Sequence, residues 1–514
     1  MVPRGARLTK ILVRVVAVGA LAVACARPAP EPSSDEGFRL TVPDAQHAFD
    51  RGLVLYYGFY PEQAREAFEE AARLDATSDW PRWGIALTYG PQTNDADASP
   101  RMGQAVRATR AALTQLGTTT GLARALLDAL SLRYSDAPTV DLAALNRSYA
   151  TAMATVYAAY PANADVATLY AEALTLASPR PWWTKEGSPT ADIRQATDVL
   201  EPFMRRASPH IGANHYYIHL VEGTDAPLRG LASARRLEQS APPVGHLLHM
   251  PSHIYMRTGD YAAAVAVNQQ AMAVDGERAA THAHVGVEAS LVAHTREYLA
   301  AAAAMTGQSA VALQADEWLF PKLRFEQWDA ILAMPQPDGG LAELEWRIAR
   351  VIAFVALGRV TDAQAQRRAI QTLVPTLPAG TTWWGDPLAL FLPMADAEMD
   401  ARLAWARGDR DGAIAIWRRA VSAQDTLTRA EAVLSWFHPI RESLGGALYA
   451  VGDFADAEQV FRDDLRINPN NPRALFGLWQ SLAAQSRQVE AQEMKNRFDA
   501  SWRAADVTLT MGRL

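Results

Sequence analysis

The sequence predicts an all-α protein in which consecutive helices pack as antiparallel pairs. Apolar residues follow a helical period beyond residue 38, and no segment shows the alternation of a half-buried strand. Glycine-centred turns recur along the chain, at Gly259, Gly307, Gly358, Gly408 and Gly452. A helical pair buries its apolar face only by stacking on its neighbours, so we expect one curved superhelix, an α-solenoid, over residues 38–514.

The composition excludes several classes of protein. The 514 residues are 49% hydrophobic and 20% charged, which is typical of a globular chain with an ample core. A single cysteine, Cys25, excludes structural disulfides and a thiolate metal cage. The formal net charge is −7 and only four residues are lysine, without a basic stripe, so we expect no nucleic-acid partner.

Residues 1–24 are predicted to be an export signal. Basic residues precede and enter an apolar stretch at 15–23, which is too short to span a bilayer. The stretch ends in Leu-Ala-Val-Ala-Cys at 21–25, which resembles a bacterial lipobox, so Cys25 is the predicted lipidation site. A plain secretory signal with an incidental cysteine is the alternative.

The segment after the signal is predicted to be a tether. Residues 25–37 begin with the lipidated cysteine and are rich in proline, serine and acidic side chains, a composition that does not bury a core. We therefore expect the folded part to lie in the cell envelope on the periplasmic side. The membrane is expected to be contacted only through the lipid. Ala26-Arg27 follows the cysteine where an aspartate would signal retention in the inner membrane, so its absence favours the outer membrane.

Residues 100–200 are predicted to form four helices, at 101–116, 120–134, 140–160 and 164–178. Two loops carry tryptophan pairs, Trp182-Trp183 and Trp383-Trp384. Such pairs either cover a seam between repeats or cap a ligand, and covering a seam is the commoner role.

The histidines are strongly clustered. Nine of the eleven fall between residues 210 and 294, and only His47 and His438 lie elsewhere. The nine are His210, His215, His219, His246, His249, His253, His282, His284 and His294. This His-rich centre, taken as 210–297, is the main functional signal in the sequence.

Two segments of the cluster place their histidines on a single helical stripe. The first carries His215, His219 and Glu222 at i, i+4 and i+7, and the second carries His246, His249 and His253 at i, i+3 and i+7. Pro251 lies inside the second segment, so either a helix starts there or it kinks.

Imidazole and carboxylate ligands without thiolate suit zinc, copper or non-haem iron, and the sequence does not choose among them. The predicted metal ligands are His215, His219, His249 and His253, with Glu222 as a fifth ligand or a base behind them. Paired helices of this kind hold one metal or two. Secondary candidates for the metal or its pocket are His210, His246, His294 and Glu297.

Other interpretations of the histidines remain open. The rings could form a polar network with Glu222 and nearby tyrosines, or bind an anionic substrate when partly protonated. His47, His282 and His284 are expected to be ordinary residues satisfied by carbonyl groups. Candidate catalytic groups are Glu222, Tyr255 and Arg257. The sequence has no HExxH motif, nucleophile elbow or P-loop.

The helical pattern is similar to the tetratricopeptide (TPR) family. When the frame is aligned from Gly245, the matching residues are Ser252, Tyr255, Gly259-Asp260-Tyr261, Ala264, Asn268 and Ala271, and the best copy begins at Leu444-Gly445. Further copies include Gly52, Ala64, Phe68 and Ala71, then Gly408, Ala413 and Trp417, then Leu444-Gly445, Gly452, Ala457 and Phe461. The later turn glycines are 44 to 51 residues apart, so we expect additional loops within the TPR-like superhelix.

The chain also resembles a group of bacterial TPR proteins with HPGxxHYYIHxxE and HMPxHIYxRxGxY segments. The matching residues are Trp83-Gly84, Gly90-Pro91, His210, Gly212, His215, His219, Glu222, His249-Met250-Pro251, His253, Arg257, Gly259, Tyr261, His294, Arg441 and Leu444-Gly445. Departures are Ile211 for proline, Gln92 for asparagine and Glu297 for a second histidine. The resemblance implies a TPR fold and no particular activity.

Together these patterns predict an exported, lipid-anchored TPR protein that binds a transition metal in a central histidine site. An open coordination position would make it a metalloenzyme acting on a small-molecule or peptide ligand. The alternative is a non-catalytic scaffold, whose superhelix groove holds a protein partner in the cell envelope.

Overall fold

The computed structural model describes residues 37–95, 97–280, 286–316, 319–383, 385–427 and 435–514. The predicted signal peptide, Cys25 and all of the predicted tether except Gly37 lie outside these residues. So do His282, His284 and Trp384.

The first part of the described chain is helical. Its helices are α1 (Pro43–Tyr57), α2 (Pro61–Leu74), α3 (Trp80–Thr88), α4 (Met102–Leu116), α5 (Leu122–Ser131), α6 (Leu142–Ala159), α7 (Ala164–Ala177), α8 (Ala191–Arg205), α9 (Ile211–Val221), α10 (Leu231–Ser240), α11 (Gly245–His249), α12 (Pro251–Thr258), α13 (Tyr261–Ala279) and α14 (Gly286–Met305).

The second part continues in the same manner. Its helices are α15 (Ser309–Ala315), α16 (Leu319–Arg324), α17 (Trp328–Ala333), α18 (Gly340–Ala356), α19 (Val360–Leu373), α20 (Leu388–Ala406), α21 (Arg410–Gln424), α22 (Ile440–Ala450), α23 (Phe454–Ile467), α24 (Pro472–Ala484) and α25 (Gln488–Ser501). Short 3₁₀ turns occur at Ser99–Arg101, Pro227–Gly230, Val374–Thr376 and Met511–Arg513.

One two-residue ribbon interrupts the helices. Strands β1 (Thr382–Trp383) and β2 (Asp386–Pro387) pair antiparallel, with Thr382 opposite Pro387 and Trp383 opposite Asp386. The sequence predicted no strand, because two residues are too few to show an alternating pattern. The all-α, TPR-like fold class is otherwise confirmed.

The helical hairpins are held together by an aromatic ring wedged between glycines. Phe68 of α2 packs against Gly52 of α1 and Gly84 of α3, where an added Cβ would lie only 2.5 Å and 2.7 Å from the ring. The absence of a side chain at both glycines is therefore what lets the three helices approach.

The same arrangement recurs 393 residues later in the sequence. Phe461 of α23 packs against Gly445 of α22 and Gly477 of α24, with an added Cβ at 2.4 Å and 2.2 Å from the ring. In both copies the glycines lie sixteen residues before and after the phenylalanine. This repeated contact is the structural counterpart of the TPR pattern in the sequence.

The predicted turn glycines adopt the left-handed backbone that ends one helix and redirects the chain. Their φ angles are 80° at Gly259, 73° at Gly307, 72° at Gly358 and 85° at both Gly408 and Gly452. An aspartate follows three of these glycines and caps the next helix by accepting a hydrogen bond from a backbone amide, at Asp260, Asp409 and Asp453.

The four helices predicted between 100 and 200 are confirmed as α4 to α7. The second ends at Ser131 rather than 134, because the chain turns there to bury Arg133, which donates to the carbonyl of Pro91 at 2.5 Å. Trp182 and Trp183 are buried, and Trp183 donates to the carbonyl of Leu220. This tryptophan pair therefore covers a seam between α9 and its neighbouring loop.

The buried apolar residues form two clusters, one within residues 38–325 and the other within 319–509. The two parts touch where Gly259 approaches the carbonyl of Pro469 and Gly307 approaches the ring of Trp502. The histidine-rich segments lie in the first part. None of the helices in the described ranges is long and apolar enough to cross a bilayer.

Replacing Gly477 by alanine is expected to lower the free energy of unfolding by about 1–3 kcal/mol, because the new methyl group collides with Phe461. The matched control is Gly276→Ala in α13, where an added Cβ meets nothing within 4 Å and helix propensity rises by up to about 1 kcal/mol. Urea unfolding of both variants measures the difference. Equal stability of the two variants would contradict the proposed close contact.

Candidate metal centre

Four helices position the six central histidines. His215 and His219 lie one turn apart on α9, and His294 lies on α14. The second predicted stripe is divided at Pro251, which is the first residue of α12, so His246 and His249 lie on α11 and His253 lies on α12. Met250, between the two helices, has helical dihedral angles, and His249 and His253 on either side of the break lie side by side.

The histidines separate into two groups of three. The first, called here the inner triad, comprises His215, His219 and His246, and the second, called the outer triad, comprises His249, His253 and His294. Within each triad one ring nitrogen from every residue lies within 4.8 Å of the others. The sequence had placed four of these histidines around one centre, whereas the structure divides them between two.

The outer triad converges through its Nε2 atoms. His249 Nε2 lies 2.9 Å from His253 Nε2, and His294 Nε2 lies 3.4 Å from the same atom. His249 and His253 are fully buried, while His294 is partly exposed. Three nitrogen atoms with this spacing surround a volume suited to a single small cation.

The opposite nitrogen atoms fix the tautomers of the two buried rings. His249 Nδ1 lies 2.6 Å from Asn268 Oδ1, and the Asn268 amide nitrogen donates to the Ala264 carbonyl, so its oxygen must face the ring. His253 Nδ1 contacts the carboxylate of Glu222. Both Nδ1 atoms therefore donate, and in neutral rings both facing Nε2 atoms carry lone pairs.

Glu222 lies between the two triads. One carboxylate oxygen accepts from His219 Nδ1 at 3.0 Å, and the other accepts from His253 Nδ1. Burial alone would raise the pKa of Glu222, but the histidine charges and hydrogen bonds outweigh it and hold the pKa well below its usual range. Both oxygens of Glu222 are therefore engaged by ring nitrogens, and its role as a fifth metal ligand or as a base behind the rings stays a prediction.

Burial also keeps most of the imidazoles neutral. It lowers the pKa of His215, His246 and His249 well below the usual value, and lowers that of His294 to about 3. Neutral imidazole is the form that coordinates a metal ion.

Aromatic rings line both triads. Phe59 packs 4.6 Å from His215 and 5.2 Å from His246 between ring centroids, and it adopts a left-handed φ of 66°, which is unusual for a bulky residue. Tyr298 lies 4.5 Å from His253 and 4.8 Å from His294. These apolar faces restrict how the rings rotate.

The other candidate residues lie apart from the triads. His210 caps the start of α9, where its Nδ1 accepts from the Ala213 amide, and its Nε2 pairs with Asp165 at 2.9 Å. Glu297 belongs to neither group of ligand atoms.

Of the candidate catalytic groups, only Glu222 lies at the histidines. The hydroxyl of Tyr255 donates to Glu238, away from both triads, since Tyr255 faces α10. Arg257 lines a separate groove. The isolated His47 is exposed on α1, and His438 is buried in the second apolar cluster near Glu398.

The structure brings two of the secondary candidates together with the predicted histidines, and the residues that contact them gave no signal in the sequence. His246 and His294 were secondary candidates, yet each completes a triad. Asn268 had appeared only as a position in the helical repeat, and Phe59 and Tyr298 carried no signal, because their contacts join segments distant in the chain.

A groove of about 1230 Å³ lies beside the ends of α9 and α12. Its walls include Arg257, the Trp182-Trp183 loop and two exposed leucines, Leu228 at 66% and Leu390 at 44% exposure. It contains none of the triad histidines. It is therefore a surface distinct from the candidate metal centre.

Fold and side chains together define an all-helical, TPR-like protein with a buried histidine centre. No protein-family model matches the sequence, and no curated protein is similar to it. Among solved structures, the chain is similar to the APC/C hetero-tetramer Cut9–Hcn1, with a TM-score of 0.34, 10% identity, and coverage of 90% of this chain and 80% of that one.

Two further solved structures are of the same kind. The P58(IPK) TPR domain has a TM-score of 0.22 and 9% identity, covering 86% of this chain and 99% of that one. Naa15/Naa10 bound to HypK-THB has a TM-score of 0.24 and 12% identity, covering 90% and 89%. At these values nothing about activity follows from the likeness.

His210→Ala is expected to lower the free energy of unfolding by about 1 kcal/mol, because it removes the cap of α9 and the partner of Asp165. His47→Ala, at an exposed position of α1, is the control and is expected to stay within about 0.5 kcal/mol of the parent. Thermal unfolding compares them. A His210→Ala protein as stable as the control would refute the capping role.

Proposed function

We propose that this protein binds a transition-metal ion through His249, His253 and His294. The observation that carries the proposal is the convergence of three Nε2 atoms while the Nδ1 atoms of the two buried rings are committed to acceptors. The two nitrogens 2.9 Å apart need either a proton or a cation between them, and a metal ion that also binds His294 Nε2 would supply the cation.

The spacing suits metal coordination. With metal–nitrogen distances of about 2.0–2.1 Å, the observed nitrogen separations of 2.9 Å and 3.4 Å correspond to angles at the metal of about 90° and about 110°. Buried acceptors behind the ligands are the usual means of orienting metal-bound imidazoles, and Asn268 and Glu222 occupy those places.

The donor set restricts the choice of ion. Neutral imidazoles without thiolate suit zinc, copper or non-haem iron and disfavour calcium and magnesium, which take oxygen ligands. Three protein ligands leave a position on a four-coordinate ion for water, dioxygen or a substrate atom. The proposal therefore extends to a metalloenzyme, with the ring of Tyr298 packed against His253 and His294.

Substitution of His294 by alanine is expected to remove one bound metal ion per chain, because the outer triad loses a ligand. His294 is partly exposed, so the variant should fold. Elemental analysis of protein purified from the native host, followed by titration of metal-free protein with cobalt(II) chloride, measures the change. At a concentration 100 times the dissociation constant, the ion should contribute about 2.7 kcal/mol to the free energy of unfolding.

The control is His47→Ala, which makes the same chemical change at an exposed helical position. It should bind as much metal as the parent protein. A parent protein that binds no metal, or a His294→Ala variant that binds as much as the parent, would refute the proposed function.

Partner binding is a second candidate function, favoured by the groove beside α9 and α12. Leu228 and Leu390 expose much of their apolar surface on its walls, and its volume of about 1230 Å³ exceeds that of most small-molecule sites. An extended peptide segment of a protein partner fits such a surface. Binding there would not depend on metal, since the groove contains no triad histidine.

We also propose that the chain is exported and anchored through a lipid on Cys25, with its folded part on the periplasmic side of the outer membrane. This proposal depends on the leader sequence alone, which ends in Leu-Ala-Val-Ala-Cys.

Cys25→Ser is expected to abolish incorporation of a labelled fatty acid and to release the protein from the membrane fraction, because no other cysteine is present. Labelling and fractionation of the full-length chain test this. Membrane attachment and labelling that persist in the variant would contradict the lipid anchor, while a parent protein that is cleaved but unlabelled would indicate a plain secretory signal.

A further inference from the structure

We infer that the inner triad, His215, His219 and His246, is a second metal site, and that Glu222 lies between two bound ions. The inference rests on the proposed function for its partner site, but it is carried by different residues. Its ion belongs to the same imidazole-binding class, which comprises zinc, copper and iron.

The inner triad contains nitrogen atoms that have no other partner. His215 Nε2, His219 Nε2 and both ring nitrogens of His246 are buried without a hydrogen bond. Each buried polar atom without a partner lowers the free energy of unfolding by about 1–3 kcal/mol, and the inner triad contains several such atoms. A metal ion coordinated by all three rings would satisfy one nitrogen of each.

Two of the three rings are oriented for coordination. His215 Nδ1 lies 2.5 Å from the carbonyl oxygen of Tyr57, which only accepts, so the ring proton must be on Nδ1. His219 Nδ1 donates to Glu222 in the same way. In their neutral forms both residues therefore present a lone pair on Nε2, as the buried rings of the outer triad do.

The two triads are adjacent. Ring centroids are 5.6 Å apart between His219 and His253, and 5.7 Å apart between His246 and His249. Glu222 accepts hydrogen bonds from one ring of each triad, so a single carboxylate orients ligands for both ions. Its negative charge also reduces the repulsion between two cations held close together in a buried site.

The two sites differ in their access to solvent. All three histidines of the inner triad are buried, and Phe59 covers them. The outer triad includes the partly exposed His294. We therefore expect a chelator to remove the outer ion first and the inner ion more slowly.

Titration of the metal-free full chain with copper(II) chloride tests the inference. The parent protein is expected to bind two ions, and electron paramagnetic resonance should detect magnetic coupling between them. His246→Leu, which keeps a similar volume, should bind one ion and lose the coupling. His294→Ala should also bind one ion, and the double variant should bind none.

The stability of the metal-free protein provides a second measurement. His246→Leu removes two unsatisfied buried nitrogens, so the metal-free variant should unfold at a higher temperature than the metal-free parent. A purely structural histidine would give lower stability and unchanged copper binding, and that result would overturn the inference.

The remaining outcomes separate the two proposals. A parent that binds one ion, lost in His294→Ala and retained in His246→Leu, would overturn the second site and leave the proposed function standing. One ion lost in either variant would indicate a single shared centre and would also overturn the inference. No binding by the parent would overturn both.

Discussion

The histidine centre depends on where the ring protons lie. Asn268, Glu222 and the carbonyl of Tyr57 each occupy an Nδ1 side, so the opposite nitrogens face one another inside a nearly dry interior. In an unfolded chain these ring nitrogens would form hydrogen bonds with water, but burial in the folded chain prevents this. Two facing ring nitrogens need a proton or a cation between them, and the proposed metal ion would meet this need at the place where the fold brings the rings together.

The solenoid makes that condition possible by bringing distant segments to one place. Helices α9, α11, α12 and α14 contribute the histidines, the end of α1 contributes the carbonyl of Tyr57, and the turn after it contributes Phe59. Close packing at Gly212 of α9, where an added Cβ would lie 2.7 Å from the ring of Tyr57, brings α9 near enough for the Tyr57 carbonyl to reach His215. Because the histidines lie on packed helices, binding of an ion between them would not require a loop to become ordered.

Much of the fold was predictable because its signals are local. The helical period of apolar residues, the turn glycines and the TPR frame can be recognised within one short segment at a time, and they identified the hairpins from the sequence. The clustering of histidines between residues 210 and 294 is also visible along the chain, and it located the histidine centre. The division into two triads was not predictable. His246 and His249 lie on the same helix but belong to different triads, and the remaining histidines come from α9, α12 and α14, whose approach is set by tertiary packing. Glu222 was recognised as either a ligand or a base, and the sequence could not show which ring nitrogens engage its oxygens.

Phe59 illustrates how the centre limits sequence change around it. Its backbone has the left-handed conformation that glycine adopts most readily, yet its ring fills the space beside three imidazoles. Glycine would relax the backbone and leave a void, while a β-branched residue would fill part of the void and strain the backbone further. Few amino acids satisfy both demands, so this position should be among the least tolerant in a saturation mutagenesis screen even though it would never touch a bound ion.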